Sequence, residues 1–258
     1  HRDLHYPLRR QRQMCIRDRF KSNDKGKTWK SITANLPKRG STYAIAQDYI
    51  DPNLLFLGTE FGLFVSNNGG VSWVQMKSGL PTIAVRDIAI QKRENDLVLG
   101  TFGRGFYVLD DYTALRDTDE KSLSAEGFLF PVRDPLLYEL SYPMGLPGQS
   151  FQGDSYYRGE NLPSVAMFTY YLKEDIQSLK EQRLEQEKEQ QKKGLNISYP
   201  SYEALKAERI EMAPKIVFTI TNSEGKVVRK LNTTPKRGIQ RLYWDMRYAD
   251  TDPINLNT

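Results

Sequence analysis

The sequence predicts a mainly β protein, in which repeated four-stranded sheets precede a β-sandwich carrying a helical insertion. Three observations lead there. An eight-residue motif occurs twice, as Ser22-Asn23-Asp24-Lys25-Gly26-Lys27-Thr28-Trp29 and as Ser66-Asn67-Asn68-Gly69-Gly70-Val71-Ser72-Trp73. A Leu-Pro step follows both copies at the same distance, at Leu36-Pro37 and Leu80-Pro81. Leu-Gly-Thr recurs at 57–59 and 99–101. A repeat of about 44 residues suits a four-stranded β-propeller blade, and the chain holds about two of them, an incomplete propeller.

Each motif reads Ser-x-Asp/Asn-x-Gly-x-Thr/Ser-Trp. Asp or Asn followed by Gly two residues on is hairpin-turn chemistry, because the short side chain bonds nearby backbone N–H groups and Gly takes a positive φ. The Trp opens the next strand and is expected to bury its ring against a neighbouring blade. Ser22, Asp24, Gly26 and Trp29, with Ser66, Asn68, Gly70 and Trp73, are therefore assigned an architectural role. The motif resembles the Asp-box of bacterial neuraminidase-repeat (BNR) β-propellers, a family that includes sialidases, xyloglucanases and sortilin. The resemblance is specific for fold and poor in information about activity.

Residues 1–19 are set apart. Met14-Cys15-Ile16-Arg17-Asp18-Arg19 reads as the translation of ATG TGT ATA AGA GAC AG, a transposase-end sequence used in preparing sequencing libraries, and such scars are excluded from fold reasoning. The segment carries six Arg against two Asp, which accounts for all but one unit of the formal net charge of +5. No cationic excess then remains to bind phosphates, so no nucleic-acid partner is expected. Both histidines, His1 and His5, and the one cysteine, Cys15, also lie there. Within residues 20–258 this excludes Ser-His-Asp and Cys-His catalysis, His- or Cys-bound zinc, and disulfides. No run of eighteen apolar residues is present, so no membrane span is expected.

The elements follow in order. Thr42 to Tyr49 alternates as an innermost strand would, and Asp51-Pro52-Asn53 is a turn. Leu54 to Thr59 is a strand buried on both faces, Leu63 to Ser66 a third, and Ser72 to Lys77 the outer fourth. The pattern restarts with Ala84 to Ile90, Asp96 to Thr101 and Gly105 to Leu109. Where a third Asp-box is due the chain offers Asp110-Asp111-Tyr112, without Trp. The run Gly100 to Asp111 resembles the closing-blade signature of large exported BNR proteins described as sortilin-like or glycosyl-hydrolase-like, with Phe102 where their pattern usually has His. Gly103-Arg104-Gly105 is no dinucleotide fingerprint, since it sits between strands and lacks the third glycine. Arg104 reads as a rim residue in a glycine turn, with a ligand-facing cation as the alternative.

Phe128 to Val132 and Leu136 to Tyr138 read as short strands. Residues 142–163 are rich in Gly, Pro, Tyr and Ser and read as a linker, whose Phe151, Tyr156 and Tyr157 could stack on a sugar or pin the linker down. Val165 to Leu172 is a strand. Lys173 to Lys193 is helical and almost wholly polar, hence solvated, with Ile176 and Leu179 as its points of attachment. Ser201 N-caps a second helix, Tyr202 to Met212. Lys215 to Thr221, Lys226 to Leu231 and Gly238 to Arg247 are strands of a β-sandwich, the last with Leu242, Trp244 and Met246 on one face. Val227 to Leu231 followed by Tyr243 to Arg247 resembles the immunoglobulin-like (Ig-like) module that follows the propeller in the same bacterial family. The expected domains are a foreign segment at 1–19, blades at 20–117, linker and short strands at 118–164, and an Ig-like sandwich at 165–258 with the helical insertion at 173–212.

The resemblance implies an extracytoplasmic protein, periplasmic or secreted, needing the rest of its own propeller. Two function classes fit. One is a non-catalytic propeller that binds a peptide, protein or carbohydrate ligand in its channel. The other is a secreted glycoside hydrolase acting on polysaccharide, which requires paired carboxylates. Arg86 and Asp87, at the start of an innermost strand, are the candidate channel-facing residues, and Asp87 is the one plausible channel carboxylate. One carboxylate is not a pair, which favours binding. No catalytic residue, cofactor or metal ligand is assigned.

Overall fold

In the computed structural model the described residues are 19–138 and 165–249. The chain divides into two compact units, His1–Glu120 and Lys121–Thr258. The architecture is mainly β, in several antiparallel sheets.

In the first unit, β1 (Phe20–Lys21) and β2 (Lys30–Ser31) flank the first Asp-box. Arg19, which the sequence groups with the foreign segment, is tied to this unit: its carbonyl accepts from Ile32 N–H at 2.8 Å, and its N–H donates to Thr33 Oγ1 at 3.3 Å. The rest of that segment lies outside the described residues. β3 (Thr42–Gln47), β4 (Leu55–Thr59), β5 (Gly62–Ser66) and β6 (Val74–Met76) form one four-stranded antiparallel sheet in that order. β7 (Val85–Gln91), β8 (Asp96–Thr101) and β9 (Phe106–Leu109) form the next. The second sheet has no fourth strand among the described residues, and after β9 the chain enters a 3-10 turn at Thr113–Leu115.

The four-stranded sheet is covered on both faces, because alternation along β4 and β5 sends consecutive side chains to opposite sides. Phe56 and Leu63, with Leu54, pack against Val85, Leu97, Leu99 and Tyr112. Leu55, Leu57 and Phe64 pack with Trp73 against Ile32 and Leu36. Each fully buried Leu or Phe contributes about 1.5–3 kcal/mol. The two sheets approach closely at Gly58, where an added Cβ would lie 2.7 Å from the Val85 carbonyl oxygen.

Both Asp-boxes close the same turn. Ser22 Oγ donates to Asp24 Oδ1 and accepts from Gly26 N–H, and Asp24 accepts from the Thr28 N–H and hydroxyl. Thr28 is the main reason that the Asp24 carboxyl is held down to about 2, with Ser22 helping. In the second box Ser66, Asn68 and Gly70 repeat the pattern, and the Asn68 amide donates to Ser72 Oγ where Asp24 accepts from Thr28. Gly26 and Gly70 have φ of 88° and 89°, the left-handed region that glycine takes without penalty.

The two Trp residues part company, correcting the expectation that both are buried. Trp73 is 3 % exposed, donates its indole N–H to the Ile32 carbonyl at 2.7 Å, and has its backbone gripped on both sides by the Asn35 amide. Trp29 is 64 % exposed, and its indole N–H returns to the Gly26 carbonyl of its own turn. The difference is long-range: Trp73 is covered by Ile32 and Leu36, which precede it by about forty positions.

In the second unit, β10 (Gly127–Leu129), β11 (Ala166–Leu172) and β14 (Gly238–Trp244) form an antiparallel sheet. β10 overlaps the short strand expected at Phe128 to Val132, within the stretch 118–164 read as linker and short strands, and its pairing with β11 makes it part of this sheet. β12 (Ile216–Thr221) and β13 (Val227–Thr233) form a hairpin turned at Asn222, whose side-chain oxygen accepts from Glu224 and Lys226 N–H. The Phe218 ring meets Tyr170 at 5.1 Å and Phe168 at 6.1 Å, joining hairpin to sheet. Residues 136–138 are not a strand, and β14 ends at Trp244 because Met246 adopts a φ of 58°. The linker aromatics Phe151, Tyr156 and Tyr157 lie outside the described residues.

Three α-helices interrupt the strands among the described residues. α1 (Glu120–Ser124) is a single short turn, and α2 (Leu179–Lys192) and α3 (Tyr202–Ile210) lie between β11 and β12. α2 starts six residues later than the sequence reading, since Ser178 and Glu181 form a reciprocal capping box that fixes the first turn. Ser201 caps α3 as expected. Ile176 and Leu179, expected to attach the helix, are both exposed, and Leu179 N–H donates to the Glu211 carboxylate just after α3. Arg183 also joins the helices by donating to both Glu208 carboxylate oxygens, and it bonds Glu187 one turn along α2.

Candidate functional site

β3 and β7 are the first strands of their sheets and lie side by side. Each contains a β-bulge at its start. In β3 the register skips from Thr42 opposite Thr59 to Ala44 opposite Gly58, which leaves Tyr43 as the extra residue. In β7 it skips from Val85 opposite Thr101 to Asp87 opposite Gly100, which leaves Arg86. Tyr43 and Arg86 thus hold equivalent places in consecutive repeats, set against the shared Leu-Gly-Thr of β4 and β8. Bulges re-aim side chains out of the regular alternation. Here they bring the two together: the Arg86 guanidinium carbon lies 3.9 Å from the centre of the Tyr43 ring.

A third residue joins them. Phe102 follows β8 in the turn that leads to β9, and its N–H donates to the Ala84 carbonyl just before β7. Thr101 closes that turn by donating both its N–H and its hydroxyl to the Gly105 carbonyl. Gly103 and Gly105, at φ of 79° and 67°, make the reversal possible. The Phe102 ring centre lies 5.3 Å from the Arg86 guanidinium, and the ring is 68 % exposed. Tyr43, Arg86 and Phe102 together form a cationic and aromatic surface open to solvent.

Asp87 takes a different direction. Its Oδ1 accepts from Ile88 N–H at 2.9 Å, and it stands opposite Gly100 on the outer face of the three-stranded sheet. No ion pair joins Asp87 to Arg86 among the described residues. The turn residue Arg104 is exposed and is not part of the cluster.

The most strongly perturbed carboxylate is elsewhere. Asp48, buried at the end of β3, accepts two hydrogen bonds from the Arg116 guanidinium at 2.8–2.9 Å, one from the Tyr112 hydroxyl at 2.5 Å, and others from Ile50 and Asp51 N–H. Burial raises its pKa, and these donors together more than offset that, holding it below the usual carboxylate range. Burial, then Asp48, pushes the Tyr112 hydroxyl up. Arg116 also donates to Asn95 Oδ1, which accepts from the Tyr49 hydroxyl as well. Every acceptor is met, so the cluster is a clasp holding the segment after β9 against the end of β3. Sequence reading treats Tyr112 as the mark of a degenerate Asp-box and misses the clasp. Its partners lie more than sixty residues apart.

Among the described residues no group of three or more Asp, Glu, His or Cys is arranged to hold a metal ion. No helix among them is long and apolar enough to cross a membrane. The class defined by the fold is thus a mainly β protein of stacked antiparallel sheets, with an aromatic and cationic surface on adjacent first strands. Compared with protein-family models, with curated proteins and with solved structures, the chain matches none.

Proposed function

We propose that the chain is a stretch of an exported BNR-like β-propeller that binds a peptide, protein or carbohydrate ligand on the surface formed by β3 and β7. The single observation that carries the binding reading is the cluster of exposed Arg86 and Phe102 with half-buried Tyr43, built around two equivalent bulges. Rings that lie open beside a cation offer stacking area and hydrogen-bond donors to a sugar or peptide.

The propeller reading is supported by a second equivalence. Phe56, Leu63 and Val65 turn the four-stranded sheet toward the next one, and by register they correspond to Val98, Phe106 and Val108. Phe106 is 80 % exposed and Val108 53 %. The outer face of the second sheet therefore repeats a face that already carries a neighbouring sheet, as expected of a blade that stacks against another. The extracytoplasmic location and the Ig-like character of the second unit rest on the sequence resemblance alone.

The test is binding of the full 258-residue chain to arrays of peptides and polysaccharides, repeated with Tyr43→Ala and Phe102→Ala. Binding that falls in both variants supports the reading. Binding indifferent to both overturns it. Release of reducing sugar from a bound polysaccharide, lost in Asp87→Asn, would replace it with the glycoside hydrolase reading.

A further inference from the structure

We propose that Asn68, in the second Asp-box, is a modification site: its side-chain amide is lost spontaneously to give an acid, and the folded turn holds that reaction back, independently of ligand binding at the β3/β7 surface.

Asn68-Gly69 is the one Asn-Gly step in the sequence. The reaction needs a backbone nitrogen to reach the side chain of the preceding residue, and glycine, which has no Cβ, hinders that approach least. The Gly69 nitrogen gives up its proton and attacks Asn68 Cγ, the Cγ–Nδ2 bond breaks, and Nδ2 takes a proton and leaves as ammonia. A five-membered succinimide remains. Water then opens it at Cγ to give aspartate, or at the Asn68 main-chain carbonyl carbon to give isoaspartate. Asn68 is exposed, so water reaches it.

The fold ties down both reacting groups. The Gly69 N–H, source of the nucleophile, donates to the Asn53 carbonyl at 2.9 Å. The Asn68 amide is held from the other side: Oδ1 accepts from Ser66 Oγ and from Ser72 N–H, each at 2.9 Å, and Nδ2 donates to Ser72 Oγ at 2.7 Å. Ser66 is buried and is fixed in turn by accepting from Gly70 N–H. Ring closure has to break these bonds, so it waits on local opening of the turn.

The first Asp-box shows how one product fits. Asp24 stands where Asn68 does and accepts from both the N–H and the hydroxyl of Thr28. Ser72 offers the same pair once its hydroxyl rotates from acceptor to donor, so the aspartate product keeps the turn. Isoaspartate lengthens the main chain by one carbon and breaks the spacing from Ser66 to Trp73.

The test follows amide loss at every asparagine of the full chain by peptide mass spectrometry in mildly alkaline buffer, with and without denaturant. In denaturant Asn68 is expected to convert faster than any other asparagine, and Gly69→Ala should slow it there by crowding the nitrogen. Without denaturant its conversion should be about tenfold slower or more, since it waits on opening. Ser72→Ala frees Nδ2 and should speed conversion of Asn68 in the folded chain, while Asn222, whose side chain is held in a separate turn, keeps its rate. Equal rates at Asn68 with and without denaturant, another asparagine converting first in denaturant, or a folded-state rate that Ser72→Ala does not move would overturn the proposal. Asn68→Asp should leave the midpoint of chemical denaturation in place, and a clearly lowered midpoint would overturn the fit of the aspartate product.

Discussion

Trp29 and Trp73 hold the same place in the repeated motif and have opposite surroundings in space, which makes them a matched pair for experiment. Trp73→Ala is expected to cost about 3–5 kcal/mol, because it removes a buried ring and orphans the Ile32 carbonyl. Trp29→Ala is expected to stay within about 0.5 kcal/mol. Chemical denaturation of the two variants checks this. Asp48 offers a second test. Asp48→Asn breaks a buried ion pair and leaves Arg116 without its charge partner, at a cost of about 3–5 kcal/mol. The folded-state pKa of Asp48 lies below its unfolded value. Its stabilisation is therefore complete above about pH 4 and is lost as the pH falls through the folded value. Asp24, held down to about 2, follows the same sign between about pH 4 and 2. Unfolding free energies between neutral and acid pH should show this loss, and a shallower one in Asp48→Asn.

At the scale of elements, the Asp-box glycines separate strain from contact. Gly26 and Gly70 share a positive φ, so a change to Ala strains both alike. A Cβ at Gly26 would meet only the Trp29 ring at 3.8 Å, whereas one at Gly70 would lie 2.6 Å from Ile32 Cβ. Gly70→Ala is expected to destabilise clearly more than Gly26→Ala, and the difference in midpoint of denaturation measures the clash. The helical pair behaves differently, because neither α2 nor α3 buries a residue. The Arg183 bonds to Glu208 and Glu187 are open to solvent, which screens them, so they add little to stability. Arg183→Ala should lower helicity by circular dichroism while the unfolding midpoint of the strands hardly moves. A large drop in that midpoint would show that the helices support the sheet.

At the scale of the whole molecule, the open face of the three-stranded sheet has consequences for behaviour in solution. Phe106 and Val108 stand side by side with Val98 on an apolar surface that nothing covers among the described residues. The chain is expected to self-associate with rising concentration, and Phe106→Lys should reduce this in sedimentation measurements without costing more than about 0.5 kcal/mol in stability. Unchanged association would place the sticky surface elsewhere.

The sequence by itself determined the turns, the strands and their order, because these depend on neighbours a few positions away. The Asp-box residues Ser22, Asp24 and Gly26 bond to one another, to Thr28 and to Trp29, all within the motif, so the turn is legible in eight letters. Strand alternation from Thr42 to Leu109 is legible for the same reason. Only the tertiary structure decided which of two identical Trp positions is buried, where Tyr112 goes, and that Tyr43 belongs beside Arg86. Those outcomes depend on partners 41 to 68 residues away and on two bulges that break the period-two pattern by which a strand is read. A spacing in sequence states which residues are equivalent. Whether a neighbour exists to cover them is a property of the packed sheets.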